Sequence, residues 1–238
     1  SNEMKEEISV PISIVMPAYN AAKFIEQAID SVLRQTYMNF ELIVIDDCST
    51  DNTNELTRKI AERDNRVRLY KNHTNSGVSF SRNYGVSLSN GEWIAFLDSD
   101  DMWKEDKLQK QVELSQKIPE ATLIFTASSF INSEGEPYSF IMNVPEKITY
   151  KELLKQNLIS CSSVMVKKRH LMEIKMQNDA MHEDFAVWLQ ILKKEKFAFG
   201  INEPLLIYRL SQNTKSSNKS KAAKMTYRVY KFMGLNII

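Results

Sequence analysis

The sequence predicts an α/β fold: an open, mostly parallel sheet flanked by helices, with a less regular second half. Three observations carry this expectation. Apolar runs of strand length alternate with stretches of helical periodicity. The runs are apolar almost throughout, as suits parallel strands covered on both faces. Three of them stop abruptly in polar clusters, at Pro17-Ala18-Tyr19-Asn20, Asp46-Asp47 and Asp98-Ser99-Asp100-Asp101.

The first strand is expected at Ile12–Met16, ending at Pro17, which has no amide to give a sheet ladder. Phe24, Ile25, Ala28, Ile29, Val32 and Leu33 then mark one face of a helix. Leu42–Ile45 is a second strand, and a helix carrying Leu56 and Ile60 follows it. Val67–Tyr70 is a short third strand, Ser81–Ser89 a short helix, and Trp93–Leu97 a fourth strand. Helix Lys107–Lys117 and strand Thr122–Ala127 complete the regular part. Beyond it, Ser162–Val166 and Phe197–Ile201 read as strands, and Phe185, Trp188, Leu189 and Leu192 form a helical stripe. Strand–helix–strand crossovers are right-handed, so the three polar clusters are expected on one edge of the sheet. In open α/β sheets that edge, outside the carboxyl ends of the strands, is where ligands bind.

Composition narrows the function. The 238 residues carry 31 Lys+Arg against 30 Asp+Glu, a net charge of +1, which argues against a nucleic-acid-binding protein. No apolar run reaches membrane-spanning length, and no charged start leads into an apolar leader. Cys48 and Cys161 make neither a disulfide framework nor a zinc cluster, so a cytoplasmic setting is expected. Glycine numbers 6, and the chain has no G-x-G-x-x-G, no P-loop and no G-x-S-x-G. From Pro204 onward there is no acidic residue, and Lys215 to Lys231 make a basic tail interleaved with Tyr227 and Tyr230. That tail reads as a solvated helix or as a segment resting on anionic lipid.

Each cluster taken alone has two readings. Asp98-Ser99-Asp100-Asp101 is either a carboxylate set for a divalent cation or a helix cap, with Ser99 or Asp101 capping the following helix. Asp46-Asp47 is either a hydrogen-bond acceptor for a ligand or a turn leading to a cap at Ser49 or Asp51. Arg82 is either a fork for a phosphate or an ion-pair partner. Glu183-Asp184 is either a general-base site or simple capping of an amphipathic helix. With three histidines and no H-x-x-x-H spacing, His182 is a poor candidate for zinc.

Together the clusters resemble family 2 glycosyltransferases of the GT-A fold. The resemblance rests on Val15–Asn20, Val44–Asp51, Asn75–Asn83, Ile94–Asp101, His182–Trp188 and Pro204–Arg209, in that order, across residues 10 to 215. It implies an inverting, metal-dependent hexosyltransferase that moves a sugar from a nucleoside-diphosphate sugar, UDP-linked, to an acceptor hydroxyl. It implies an acceptor that is a saccharide or a lipid-linked saccharide, in cell-surface polysaccharide or glycolipid synthesis. The donor site would take Pro17, Ala18, Tyr19, Asn20, Asp46, Asp47, Arg82, Asp98 and Ser99, with Tyr19 against the base and Asp47 at its edge. Asp100 would bind Mn2+ or Mg2+, with Asp101 and Arg209 close by. Asp184 would be the base, with Glu183 as its neighbour. Residues 10–101 would form the nucleotide-sugar half, 102–210 the acceptor and catalytic half, and 211–238 a helical basic tail in peripheral contact with the inner face of the membrane. Many members carry a His two residues after the Arg209 position, where this chain has Ser211. A catalytically inactive nucleotide-sugar-binding or regulatory module of the same fold is the alternative. A receiver-type phosphotransfer domain fits less well, because its first strand would end in acid rather than in Pro17–Asn20.

Overall fold

Successive residues of the first strand feed two different hydrophobic cores, one on each face of a central sheet: Ile12, Ile14 and Met16 enter one, Val15 the other. The computed structural model describes residues 11–177, 180, 182–210 and 233. Its elements in chain order are β1 (Ile12–Ala18), α1 (Ile25–Leu33), β2 (Phe40–Asp46), α2 (Thr53–Arg63), β3 (Val67–Lys71), α3 (Val78–Leu88), β4 (Trp93–Phe96), β5 (Met102–Trp103), α4 (Lys107–Lys117), β6 (Leu123–Ile131), β7 (Pro137–Met142), β8 (Lys147–Ile148), α5 (Tyr150–Lys155), β9 (Met165–Lys167), α6 (Lys168–Glu173), α7 (Glu183–Lys194) and β10 (Ala198–Arg209).

The strands form one sheet in the order β3-β2-β1-β4-β9-β6-β10-β5, with β7 added to β6 and β8 to β10. The first four are parallel, so the early half has the expected arrangement. Beyond β4 the sheet is mixed: β9 runs antiparallel to β4 and β6, whereas β10 runs parallel to β6. Helices α1, α2 and α4 pack on one face, and α3, α5, α6 and α7 on the other. Ala18 lies opposite Asp46, and Val15 opposite Phe96. The three polar clusters therefore do leave the sheet along one edge.

The structure departs from the sequence expectation in places. β1 continues through Pro17 to Ala18. Past Val15 it pairs only with β2, so the missing proline amide removes no bond on the β4 side. The expected strand at Phe197–Ile201 and the segment Pro204–Arg209 are one long strand, β10, with register shifts at Pro204. β5, β7, β8, α5 and α6 are short or exposed elements that the pattern did not reveal. The basic tail at 211–238 and the Ser211 departure lie outside the described residues, Met233 apart.

Helix α3 comes unusually close to the sheet. A Cβ on Gly85 would stand 2.4 Å from Val15 Cγ1. Val15 is fully buried and has nowhere to retreat. Gly85→Ala is expected to destabilise the protein by about 1–3 kcal/mol through overpacking, despite the better helix propensity of alanine. Urea unfolding checks this, and an unchanged or higher midpoint contradicts it.

Candidate functional site

Two loops at the strand ends are stitched together before any ligand arrives. Asn20, in the left-handed region at φ 48°, donates its backbone N–H to Ser49 Oγ (2.9 Å) and accepts from the Thr50 N–H at its side-chain oxygen (2.8 Å). Asp47 accepts from Asn72 Nδ2 (2.9 Å) and the Ser76 N–H (2.7 Å) at one oxygen, and from the Gly77 N–H (2.9 Å) at the other. Gly77, with φ 92°, supplies the turn into α3. Asp46 is fully buried and is spent on the Ser49 N–H and Asn54 Nδ2. The structure thus brings Asp47 to the cleft and leaves Asp46 beneath it.

A cavity of about 410 Å³ opens on this edge. Pro17, Ala18, Tyr19, Asn20 and Asp47 line one side, and Asp98, Ser99, Asp100 and Arg209 the other. Tyr19 is 52% exposed, a free ring face at the mouth. Burial, and then the charge of Asp98, push the Asp100 carboxyl up to about 6. A cation placed between these carboxylates would relieve both penalties. None of this acidic run caps a helix: α4 starts only at Lys107, and its N-cap Asp106 makes no side-chain cap bond. Asp101 is buried, which holds its carboxyl well above the usual range, and it is used structurally. It accepts from the Arg209 N–H (3.0 Å) and from Ser162 Oγ (3.1 Å). Arg209 stacks its guanidinium over Phe24 at 3.9 Å and donates to the Asp100 carbonyl (2.9 Å) and Gln27 (3.0 Å). Among the described residues no group of three or more His, Cys, Asp and Glu makes a ready metal cage. One or two hard carboxylates such as Asp98 and Asp100 suit an ion that takes its other ligands from a diphosphate.

A second cavity, about 650 Å³, adjoins the first and shares Asp98 and Val78 with it. His182, Glu183 and Asp184 line it where α7 begins, with Phe130, Met142 and Tyr208 opposite. Arg82 joins the two cavities. Its Nη2 donates to Asp98 Oδ1 and its Nη1 to Glu183 Oε1, each at 2.9 Å. Arg82 and Glu183 have side chains 5% and 7% exposed, so this guanidinium is an internal tie rather than a free fork for phosphate. His170 is fixed by Thr122 and Glu195, away from the cleft. Cys48 and Cys161 are free thiols.

Sequence reasoning missed Ser162, Asn72, Phe130 and Tyr208. Ser162 Oγ accepts from the Asp98 N–H (3.0 Å) and donates to Asp101, fixing the acidic turn from a distant segment. No local pattern marks such a residue. The aromatic pair had a faint signal, because each sits at a strand end beside the acidic edge.

The sequence pattern that defines glycosyl transferase family 2 matches residues 13–174. The chain belongs to that family. Glycosyltransferase TuaG of Bacillus subtilis (strain 168) is 40% identical over 220 residues, covering 92% of this chain and 87% of TuaG. An Escherichia coli family relative, UDP-Glc:alpha-D-GlcNAc-diphosphoundecaprenol beta-1,3-glucosyltransferase WfgD, is 38% identical over 221 residues, 92% of this chain and 84% of WfgD. The crystal structure of S. aureus TarS 1-349 in complex with UDP-GlcNAc matches with a TM-score of 0.78 at 20% identity, over 94% of this chain and 65% of that one. Against the longer TarS chain the match covers 94% of this chain and 39% of that one. The fold is thus the GT-A fold of the glycosyl transferase family 2 enzymes.

Arg82→Met leaves Glu183 buried without the guanidinium charge, and is expected to cost about 3–5 kcal/mol of stability. Adding Glu183→Gln is expected to restore most of it, as a coupled pair requires. Equal losses in the single and double variants in urea unfolding would show that the tie is not the source.

Proposed function

We propose that the chain is an inverting, metal-assisted hexosyltransferase using a nucleoside-diphosphate sugar, with UDP as carrier and a lipid-linked saccharide as acceptor, in cell-surface polysaccharide or glycolipid synthesis. The observation that carries this reading is the meeting of two cavities at Asp98, one edged by acids for a diphosphate, the other holding Asp184. The UDP-GlcNAc complex of TarS and the diphosphoundecaprenol-linked acceptor in the name of WfgD support the choice of donor and acceptor.

Residues 10–101 supply most of the donor half and 102–210 the acceptor half, with Arg209 reaching back to the donor cavity. Tyr19 lies against the base. Asp47 has three of its roughly four lone-pair sites filled by the bonds above. The remaining site takes one N–H, which suits uracil, with its single ring N–H, better than the adjacent donors of guanine. Asp98 and Ser99 face the ribose and donor sugar. Asp100, with Asp98 beside it, would hold Mn2+ or Mg2+, whose Lewis acidity stabilises charge on the departing diphosphate. Asp184 accepts the proton of the acceptor hydroxyl. The hydroxyl oxygen bonds to the anomeric carbon on the face opposite the nucleoside diphosphate, and the bond to the diphosphate breaks, inverting the centre. Glu183 and Arg82 position the start of α7, and with it Asp184. An inactive binding module has no use for a carboxylate in the second cavity, so Asp184 favours the enzyme.

Among the described residues no helix is long and apolar enough to cross a membrane. A cytoplasmic enzyme in peripheral contact with the inner face of the membrane fits a lipid-linked acceptor, and the basic tail assigned to that contact lies outside the described residues.

Asp184→Asn is expected to lower turnover by about 10²–10⁴-fold, the usual contribution of a general base, with UDP-sugar binding unchanged by calorimetry. Undiminished turnover removes the base assignment. Asp100→Ala is expected to abolish the Mn2+-dependent part of UDP-sugar binding. If Mn2+ strengthens binding equally in the variant, the ion is held elsewhere.

A further inference from the structure

Four aromatic rings run in a chain from the second cavity to the protein surface. Tyr208 and Phe130 line the cavity that holds Asp184. Their centroids are 5.8 Å apart; Phe130 lies 4.9 Å from Phe140, and Phe140 5.7 Å from Tyr138. Tyr138 and Phe140 belong to β7 and are 45% and 52% exposed. Among the described residues β7 pairs with β6 alone and lies off the main strand order. Because side chains alternate along a strand, Tyr138, Phe140 and Met142 share one face, and Met142 itself lines the cavity. Ile141, 47% exposed, is on the other face.

This face is chemically one-sided. From Pro137 to Met142 no side chain is charged, and Ser139 alternates away from the rings. Exposed edge strands are normally blunted by charge or covered. A contiguous apolar strip that opens from a cleft marks a ligand surface. A further sugar would need hydrogen-bonding side chains along the rings, and among the described residues the β7 face offers only the Tyr138 hydroxyl, the Tyr208 hydroxyl lying at the far, cavity end of the strip. A hydrocarbon chain needs apolar area alone. Six strand residues span about 20 Å, room for a chain of a dozen or more carbons.

We propose that the Tyr208–Phe130–Phe140–Tyr138 strip seats the hydrocarbon chain of a lipid-linked acceptor, leading its saccharide end into the cavity at Asp184. The proposal rests on the acceptor reading above and adds where the lipid lies. It makes Tyr138 and Phe140 determinants of lipid preference and leaves the chemistry at Asp184 untouched.

The test uses farnesyl diphosphate below its micelle concentration, with inorganic pyrophosphate as the reference, titrated calorimetrically into the full chain. The unmodified protein is expected to bind farnesyl diphosphate about tenfold or more tightly than pyrophosphate. The double variant Tyr138→Ser with Phe140→Ser is expected to lose that preference while keeping UDP binding and its urea midpoint. Ile141→Ser, on the opposite face, is expected to keep it. The proposal is overturned if the unmodified protein shows no preference, if the double variant retains it, or if Ile141→Ser loses it equally. It is also overturned if the double variant changes only the oligomeric state, because the strip then covers a second copy, or only binding to neutral phosphatidylcholine vesicles, because it then meets the bilayer surface. Failure of sugar transfer with every UDP sugar counts against the proposed activity but leaves a strip-dependent farnesyl preference standing. Transfer without that preference counts against the strip alone.

Discussion

A guanidinium buried between two carboxylates holds this site in shape. Arg82 reaches Asp98 at the end of β4 and Glu183 at the start of α7, from a helix that belongs to neither. Taking the Arg82 and Glu183 charges out of water is costly, and the cost is recovered only when the geometry is good and the partners are fixed. Both bonds are 2.9 Å, so the spacing between the strand end and the helix start is narrowly defined. The distance from the acidic edge of the first cavity to Asp184 in the second follows from it. An arginine suits this position because it stays charged when buried and its fork serves two acceptors at once.

The acids of the cleft divide by what they already touch. Asp46, Asp101 and Glu183 are engaged inside the protein and set the positions of loops and strand ends. Asp98, Asp100 and Asp184 line open space. Asp47 and Asp98 belong to both groups: Asp47 has its oxygens largely filled yet faces the first cavity, and Asp98 is held by Arg82 at one oxygen while lining both cavities. Burial first, and then the neighbouring charge of Asp98, raise the proton affinity of Asp100, the cost of crowding carboxylates at the end of a parallel strand.

Much of the first half of the fold is legible in the sequence, because fully buried parallel strands print as unbroken apolar runs and their polar ends are abrupt. Right-handed crossovers put the ends of β1, β2 and β4 on one edge, and they lie there. The second half was less legible. β7 is exposed on both faces, Ile141 interrupts the alternation of Tyr138, Ser139 and Phe140, and β5 and β8 are two residues each. The role of Arg82 was open because an arginine in a helix reads the same whether it meets a phosphate or a buried carboxylate. Only the approach of α7, about a hundred residues later, decides between them. Lys107 was likewise unreadable: it begins α4, yet it is fully buried, donating to Gln111 (2.7 Å) with its ammonium 4.0 Å from the Trp103 ring.

The close seating of α3 on β1 bears on how the cleft comes into being. Val78–Leu88 contains three serines, an asparagine, a valine pair and a glycine, all weak helix formers. A segment of this length and composition has little helicity in water by itself. It becomes helical against the sheet, at the point where Gly85 admits Val15. Arg82 and Val78, which wall the cleft, are carried on that helix. A chain without its central strands therefore lacks these walls of the cleft, and whatever this edge recognises depends on the sheet rather than on a local segment.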